Sequence, residues 1–202
     1  MRWRATHTLA VIVVMVFSNS AFSGEEAAQA DAKRSQDARL LVESFHNSLL
    51  AMMKTDGYEA RAQLIQPVVS TLFDVQRIAQ VSLGRTWRTL DENSQGEFTK
   101  LLERVIVATY ADRFDGFTGQ KFETDEVKQS RKGQVVRTHL HGKDQSVRLD
   151  YFLRNGKVFN IAADGVSDLS LRRADYANII KSQGYEALTL ELLTKVEEAQ
   201  TP

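Results

Sequence analysis

The chain has 202 residues, with 26 basic and 26 acidic side chains and no cysteine. A balanced charge excludes the basic field of a nucleic-acid binder and tight electrostatic adhesion to anionic lipid. Without disulfides, stability has to come from the core alone.

The first 23 residues read as a secretory signal peptide. Arg2 and Arg4 form a basic lead, Leu9–Phe17 is an apolar run, and Ala21 and Ser23 offer small residues at −3 and −1 of a cleavage site. The run is too short to span a bilayer, which needs roughly 20 apolar residues. A second cut is available after Ala30, and no cysteine follows either site to carry a lipoprotein anchor. Removing residues 1–23 takes away two arginines and no acid, so the remainder carries a net charge of about −2. The expectation is a soluble, exported protein in which residues 24–36 are a flexible polar lead-in and 37–199 form one domain.

Apolar residues at Leu41, Val42, Phe45, Leu49, Met52 and Met53 share a helical face, and Asp56-Gly57 ends that helix. A second helix covers "YEARAQLIQPVVSTLF", where Pro67 should kink or divide it. Asp74 caps a short third helix that Gly84 closes. The longest amphipathic pattern follows, through Phe98, Leu101, Leu102, Val105, Ile106, Tyr110 and Phe114. Thr89 with Glu92, or Ser94 with Glu97, would form its capping box.

At Lys121 the texture turns to short β-branched segments. In "SVRLDYFLR", Val147, Leu149, Tyr151 and Leu153 alternate with Arg148, Asp150, Phe152 and Arg154, which predicts a strand with one apolar face. Asn155-Gly156 is a two-residue hairpin signal, and "KVFNIAADG" is the return strand. Two helices close the chain, one from about Ser167 to Gln183 and one over "YEALTLELLTKVEEA". Helices, then a meander of about four strands, then helices predict an α+β fold with an antiparallel sheet.

Signals for chemistry are sparse. After the leader the histidines are His46, His139 and His141. His139 and His141 share a strand face, yet no third metal ligand is visible beside them. Ser167 sits on a strand-to-helix turn beside Asp164 and Asp168, but no G-x-S-x-G surrounds it. Capping explains it better: its hydroxyl can satisfy an orphan N–H, and Asp168 favours the helix dipole. Arg172 and Arg173 then fall on a solvated face. Asp74, Asp91, Asp112 and Asp115 read as caps and solvated acids. Neither a cofactor nor a catalytic residue is expected.

Three blocks carry a family resemblance. Phe73–Phe122 is similar to the central helical block of the toluene-tolerance/MlaC family of periplasmic phospholipid-binding proteins: Leu83-Gly84 with Trp87, then Phe98, Tyr110, and Gly119 with Phe122. "VRLDYFLR" (Val147–Arg154) resembles the family's "VRLDF" strand, and "ADGVSDLSLRRADYANIIKSQGYEAL" (Ala163–Leu188) its closing motif. The segment "ATYADRFDGFTGQKF", with "VRLDYFLR" and Arg172, Arg173 and Tyr176, leans towards the hopanoid-associated, HpnM-like branch. The short "RNGK" hairpin departs from many members.

The resemblance implies an NTF2-like α+β cone in which a curved antiparallel sheet and the N- and C-terminal helices enclose an apolar cavity. It implies a monomeric periplasmic carrier of phospholipid or a hopanoid-type lipid. Its partners would be an outer-membrane lipoprotein complex and an inner-membrane ABC transporter bearing an MCE-domain ring, with no covalent chemistry. Tyr110, Val147, Leu149, Tyr151 and Val166 match apolar positions of these blocks and are the expected lipid-binding residues. The rivals are an NTF2-like enzyme using Asp150 or His139, with Asp150 expected on the outer face, and a scaffold that carries nothing.

Overall fold

A computed structural model describes residues 20–130 and 133–200. The chain divides into two compact units, residues 1–33 and 34–202. The described part of the first is the leading stretch of helix α1 (Ser20–Met53), exposed from residue 25 onward. Residues 24–36, expected as a loose lead-in, are therefore helical. The signal-peptide reading falls mainly on residues 1–19, outside the described residues. No helix among the described residues is long and apolar enough to cross a membrane.

The second unit continues with α2 (Tyr58–Leu72), α3 (Val75–Leu83), a 3-10 turn (Thr86–Thr89) and α4 (Glu92–Arg113). Strands β1 (Lys121–Ser130), β2 (Gly133–His141), β3 (Ser146–Arg154), β4 (Lys157–Ala163) and β5 (Val166–Ser167) follow, then α5 (Asp168–Gln183) and α6 (Tyr185–Gln200). The strands pair antiparallel in sequence order. The α+β expectation holds, with one strand more than the four expected. Val166 and Ser167 pair with Ala163 and Ala162 before the helix starts.

Local rules set most boundaries. The Asp74 carboxylate accepts from the Arg77 N–H at 3.1 Å and starts α3. Neither expected capping box starts α4. Asp91 is the cap, accepting from the Ser94 N–H at 2.7 Å, while the Thr89 hydroxyl donates to the Thr86 carbonyl. Pro67 does not divide α2. It lies on the exposed side, as does Gln63, whose carbonyl it leaves without a donor, so water can take that bond. Asn155 and Gly156 both adopt positive φ, 50° and 71°, in the two-residue hairpin between β3 and β4.

Two bulges bend the sheet. Register shifts leave Asp125 unpaired in β1 and Phe159 unpaired in β4. Gly133 opens β2 with φ 132°, and a Cβ there would fall 2.0 Å from the Leu153 carbonyl oxygen. Only glycine lets β2 approach β3 this closely.

The core lies between this sheet and the helices. Phe45 meets Phe73, Tyr110 and Tyr151 edge-on at ring separations of 5.3, 5.4 and 6.1 Å. One polar pair sits among them. His46, 3% exposed, shares a 3.0 Å hydrogen bond with the Tyr151 hydroxyl and stacks on Phe122 at 4.0 Å. Burial pushes its imidazole down from 6.5 to about 4.

That shift sets a pH dependence. Between pH 6.5 and 4 the unfolded chain binds a proton at residue 46 that the native state refuses. The stability is fully present above pH 6.5 and is lost as pH falls through this window, by about 3 kcal/mol in all. Urea midpoints measured from pH 7 to 4 should show the fall, and His46→Gln should flatten it. An unchanged slope in the variant would rule His46 out as the source.

Ser167 generates a second prediction. Its hydroxyl oxygen accepts from the Ser170 N–H at 3.1 Å and donates to the Asn160 side-chain oxygen at 3.0 Å. Ser167→Ala should lower stability by about 1 kcal/mol. Denaturation that is indistinguishable from wild type would show that the cap contributes nothing.

Candidate functional site

An apolar pocket of about 290 Å³ opens where α4, the end of the sheet and α5 meet. From α4, Ile106, Tyr110 and Arg113 project along one helical stripe, with Thr109 beside them and Phe114 just past the helix end. Phe73 and Ile78 close the back from the α2–α3 corner. That corner is tied to the sheet by the Asp74 N–H, which donates to the Val158 carbonyl at 2.8 Å. Phe159, Asn160, Ile161 and Ala163 of β4 form one wall. The bulge at Phe159 breaks strict alternation, so consecutive residues reach the same space. Val166 of β5 and Asp168, Leu169, Leu171 and Arg172 of α5 complete the rim.

Val166 and Leu171 are each 55% exposed, so apolar surface spills out of the mouth. Arg172 is covered instead. Its side chain is 15% exposed, donating to the Tyr176 hydroxyl at 3.2 Å and to Asp168 at 3.1 Å. The solvated face expected for Arg172 is thus corrected: α5 turns it against the pocket. Arg173 stays exposed, with its guanidinium beside Gly84. Desolvation pushes the Tyr110 phenol upward, with Asp168 adding to the effect, so the phenol stays neutral.

The expected lipid-binding residues divide. Tyr110 and Val166 line the pocket; Val147, Leu149 and Tyr151 do not. Tyr151 is 2% exposed and belongs to the core, and Leu149 packs against that core. The reason is one of strand order. Leu149 pairs with Ala163 and Tyr151 with Ile161, so β4 stands at the wall and β3 lies one strand behind. Sequence reasoning missed Ile161 and Ala163 because alternation identifies a face, not which strand borders the helices. It missed Arg113, which closes the α4 stripe of Ile106 and Tyr110. For Arg172 a signal existed: Asp168 stands four residues earlier, the spacing of a helical ion pair.

The groups a reaction could use are engaged elsewhere. Both bonding roles of the Ser167 hydroxyl are taken by its cap and by Asn160. Asp164 accepts from the Arg148 N–H at 3.0 Å and shapes the turn before β5. Asp150 is on the outer face as expected, yet only 8% exposed. The Arg137 Nε donates to it at 2.9 Å, and Arg148 lies within 3.4 Å. His139 and His141 face Asp125 and Glu123 at 2.9 and 3.2 Å on the same outer surface. No group of three or more metal-ligating side chains is arranged to hold a metal ion among the described residues.

A solved phospholipid-binding protein from Ralstonia solanacearum, in complex with a phospholipid, is similar to this structure with a TM-score of 0.69 at 20% identity. The match covers 80% of this chain and 98% of that one. At that identity the likeness establishes a shared fold. No curated protein matches in sequence. The family model described as MlaC protein matches residues 43–194, well over half of the chain. By that match the chain belongs to the MlaC family.

Proposed function

We propose that this protein is a periplasmic carrier that binds a lipid by its acyl chains and moves it between membranes. The observation that carries the reading is the open apolar pocket, walled by β4, α4 and α5 and fringed by exposed Val166 and Leu171. Family membership and the lipid held by the Ralstonia protein support it. The physics fits as well. Each methylene kept from water contributes ~0.8 kcal/mol, so a lipid does not cross an aqueous space unshielded at a useful rate.

The volume constrains how cargo is held. About 290 Å³ lies at the lower edge of ligand pockets, which run from roughly 300 to 1,000 Å³. It admits part of one chain, so loading a whole two-chain lipid requires the walls to part. The rim at β5 and the start of α5 is the place for this, since β5 contributes only two residues of pairing. The engagement of Ser167, Asp150 and His139 in structural contacts favours binding over catalysis. In this reading residues 1–23 direct export. The partners are an outer-membrane lipoprotein complex as one terminus and an inner-membrane MCE-domain ABC transporter as the other.

The test is direct. Mature protein purified from its native compartment, extracted with organic solvent and analysed by mass spectrometry, should yield lipid near one molecule per protein. Folded protein that neither retains nor takes up lipid would favour a scaffold instead. Val166→Asp places a charge at an exposed rim position and should lower lipid occupancy severalfold while leaving the thermal midpoint nearly unchanged, because surface substitutions typically alter stability by less than about 0.5 kcal/mol. Full occupancy in that variant would remove this pocket as the lipid site.

A further inference from the structure

We infer that Arg85, Arg88 and Arg173 form a docking surface for an acidic patch on a protein partner. The choice of partner, one of the two membrane complexes between which the lipid moves, rests on the carrier reading above. The surface itself stands apart from the pocket and does not rest on that reading.

The connection between α3 and α4 is built to hold still. Gly84 ends α3 at a positive φ of 58°, and the 3-10 turn Thr86–Thr89 follows. Trp87, 7% exposed, anchors that turn in the core. Gln95 of α4 fastens it from the other side, its side-chain nitrogen donating to the Trp87 and Leu90 carbonyls at 2.9 and 3.1 Å. The Arg88 N–H donates to the Arg85 carbonyl at 3.1 Å. In 3-10 geometry side chains three apart eclipse, so Arg85 and Arg88 project together, and both are exposed. Arg173 of α5 is exposed beside them: a Cβ at Gly84 would stand 3.4 Å from its Nη2.

None of these three arginines has an ion pair or a side-chain hydrogen bond among the described residues. No acid occurs anywhere from residue 75 to residue 90. Elsewhere the fold matches its arginines, as Arg137 is matched by Asp150 and Glu126. Here like charges are gathered on a fixed turn with no internal compensation. Carboxylates of a partner supply it, because each guanidinium fork takes one bidentately. A turn that is already ordered also lowers the entropy cost of docking. A bilayer suits this surface less well: anionic headgroups are drawn by clusters of roughly four to eight basic residues, more than are gathered here.

The experiment measures the affinity of the mature protein for each of the two purified membrane complexes, at low and at high salt. The double variant Arg85→Gln, Arg88→Gln should lose roughly three- to tenfold in affinity for at least one complex at low salt, the scale of two exposed ion pairs. Arg173→Gln should weaken binding to the same complex. The gap should shrink at high salt, since exposed charges are screened within ~10 Å already at 0.1 M. Arg85→Lys with Arg88→Lys keeps the charge but not the fork and should restore only part of the affinity. Thermal midpoint and lipid occupancy should stay at wild-type values throughout. Unchanged affinity for both complexes in the double variant overturns the inference and leaves the carrier reading standing, because lipid occupancy reports on that separately. Loss of binding to phosphatidylglycerol vesicles, with both complexes still bound normally, would assign the patch to the membrane and also overturn it. A wild type that binds neither complex overturns the docking surface, and the carrier reading falls with it only if the protein also holds no lipid.

Discussion

Phe45 presents its ring to Phe73, Tyr110 and Tyr151 at separations of 5.3–6.1 Å, each pair near perpendicular. These residues come from α1, the α2–α3 corner, α4 and β3. Two of them, Phe73 and Tyr110, are also pocket wall. A space of this kind tends to collapse, because atoms facing a void lose dispersion contacts. Here the wall residues are held from behind by the aromatic cluster. Perpendicular aromatic pairs contribute about 0.5–1.5 kcal/mol beyond area burial, and three meet at one ring. Phe45 thus supports the back of the pocket through Phe73 and Tyr110.

Back and rim are built differently. The back is tied by long-range contacts: the Asp74 N–H on the Val158 carbonyl, and His46 bonded to Tyr151 across the core. The rim is made of a two-residue strand and the first turn of α5, held by Ser167 and Asn160. Local opening is drawn from regions with few buried apolar contacts, and Val166 and Leu171 at this rim are more than half exposed. The carrier proposed above needs this asymmetry. A pocket rigid on every side would not admit a two-chain lipid, and one soft on every side would not keep its shape when empty.

Much of the fold was legible in the residues. Helical spacing located α2 to α6, Asn155-Gly156 located the hairpin, and Ser167 read correctly as a cap. The failures have separate physical causes. Thr89 and Ser94 have the right spacing for a capping box, but Asp91 stands at the boundary itself and its carboxylate takes the first bond. Pro67 is tolerated because the bond it removes faces water. Residues 24–36 are polar and Ala-rich, and alanine is the best helix former, so a composition that looks loose is also helical. The site was half legible. Periodicity found the apolar stripe of α4, including Tyr110. It could not find the wall, because strand order relative to the helices is a tertiary property.

The charges at the mouth obey a constraint of their own. A guanidinium as covered as that of Arg172 is costly unless it is matched. Asp168 and the Tyr176 hydroxyl supply that match from the same helix, at the four-residue spacing on either side. Because the match is internal to α5, it travels with the helix if the rim moves, and no buried charge is stranded by opening. Asp168 also sits in the first turn of α5, where a carboxylate is favoured by the helix dipole. The ion pair therefore stabilises the start of the helix that forms the rim while cancelling the charge of Arg172. Arg113, on the far side of the pocket at the end of α4, is outside this arrangement. An opening at the proposed rim would carry a neutral pair, rather than a single charge, away from Arg113. The electrostatic cost of that motion is correspondingly small.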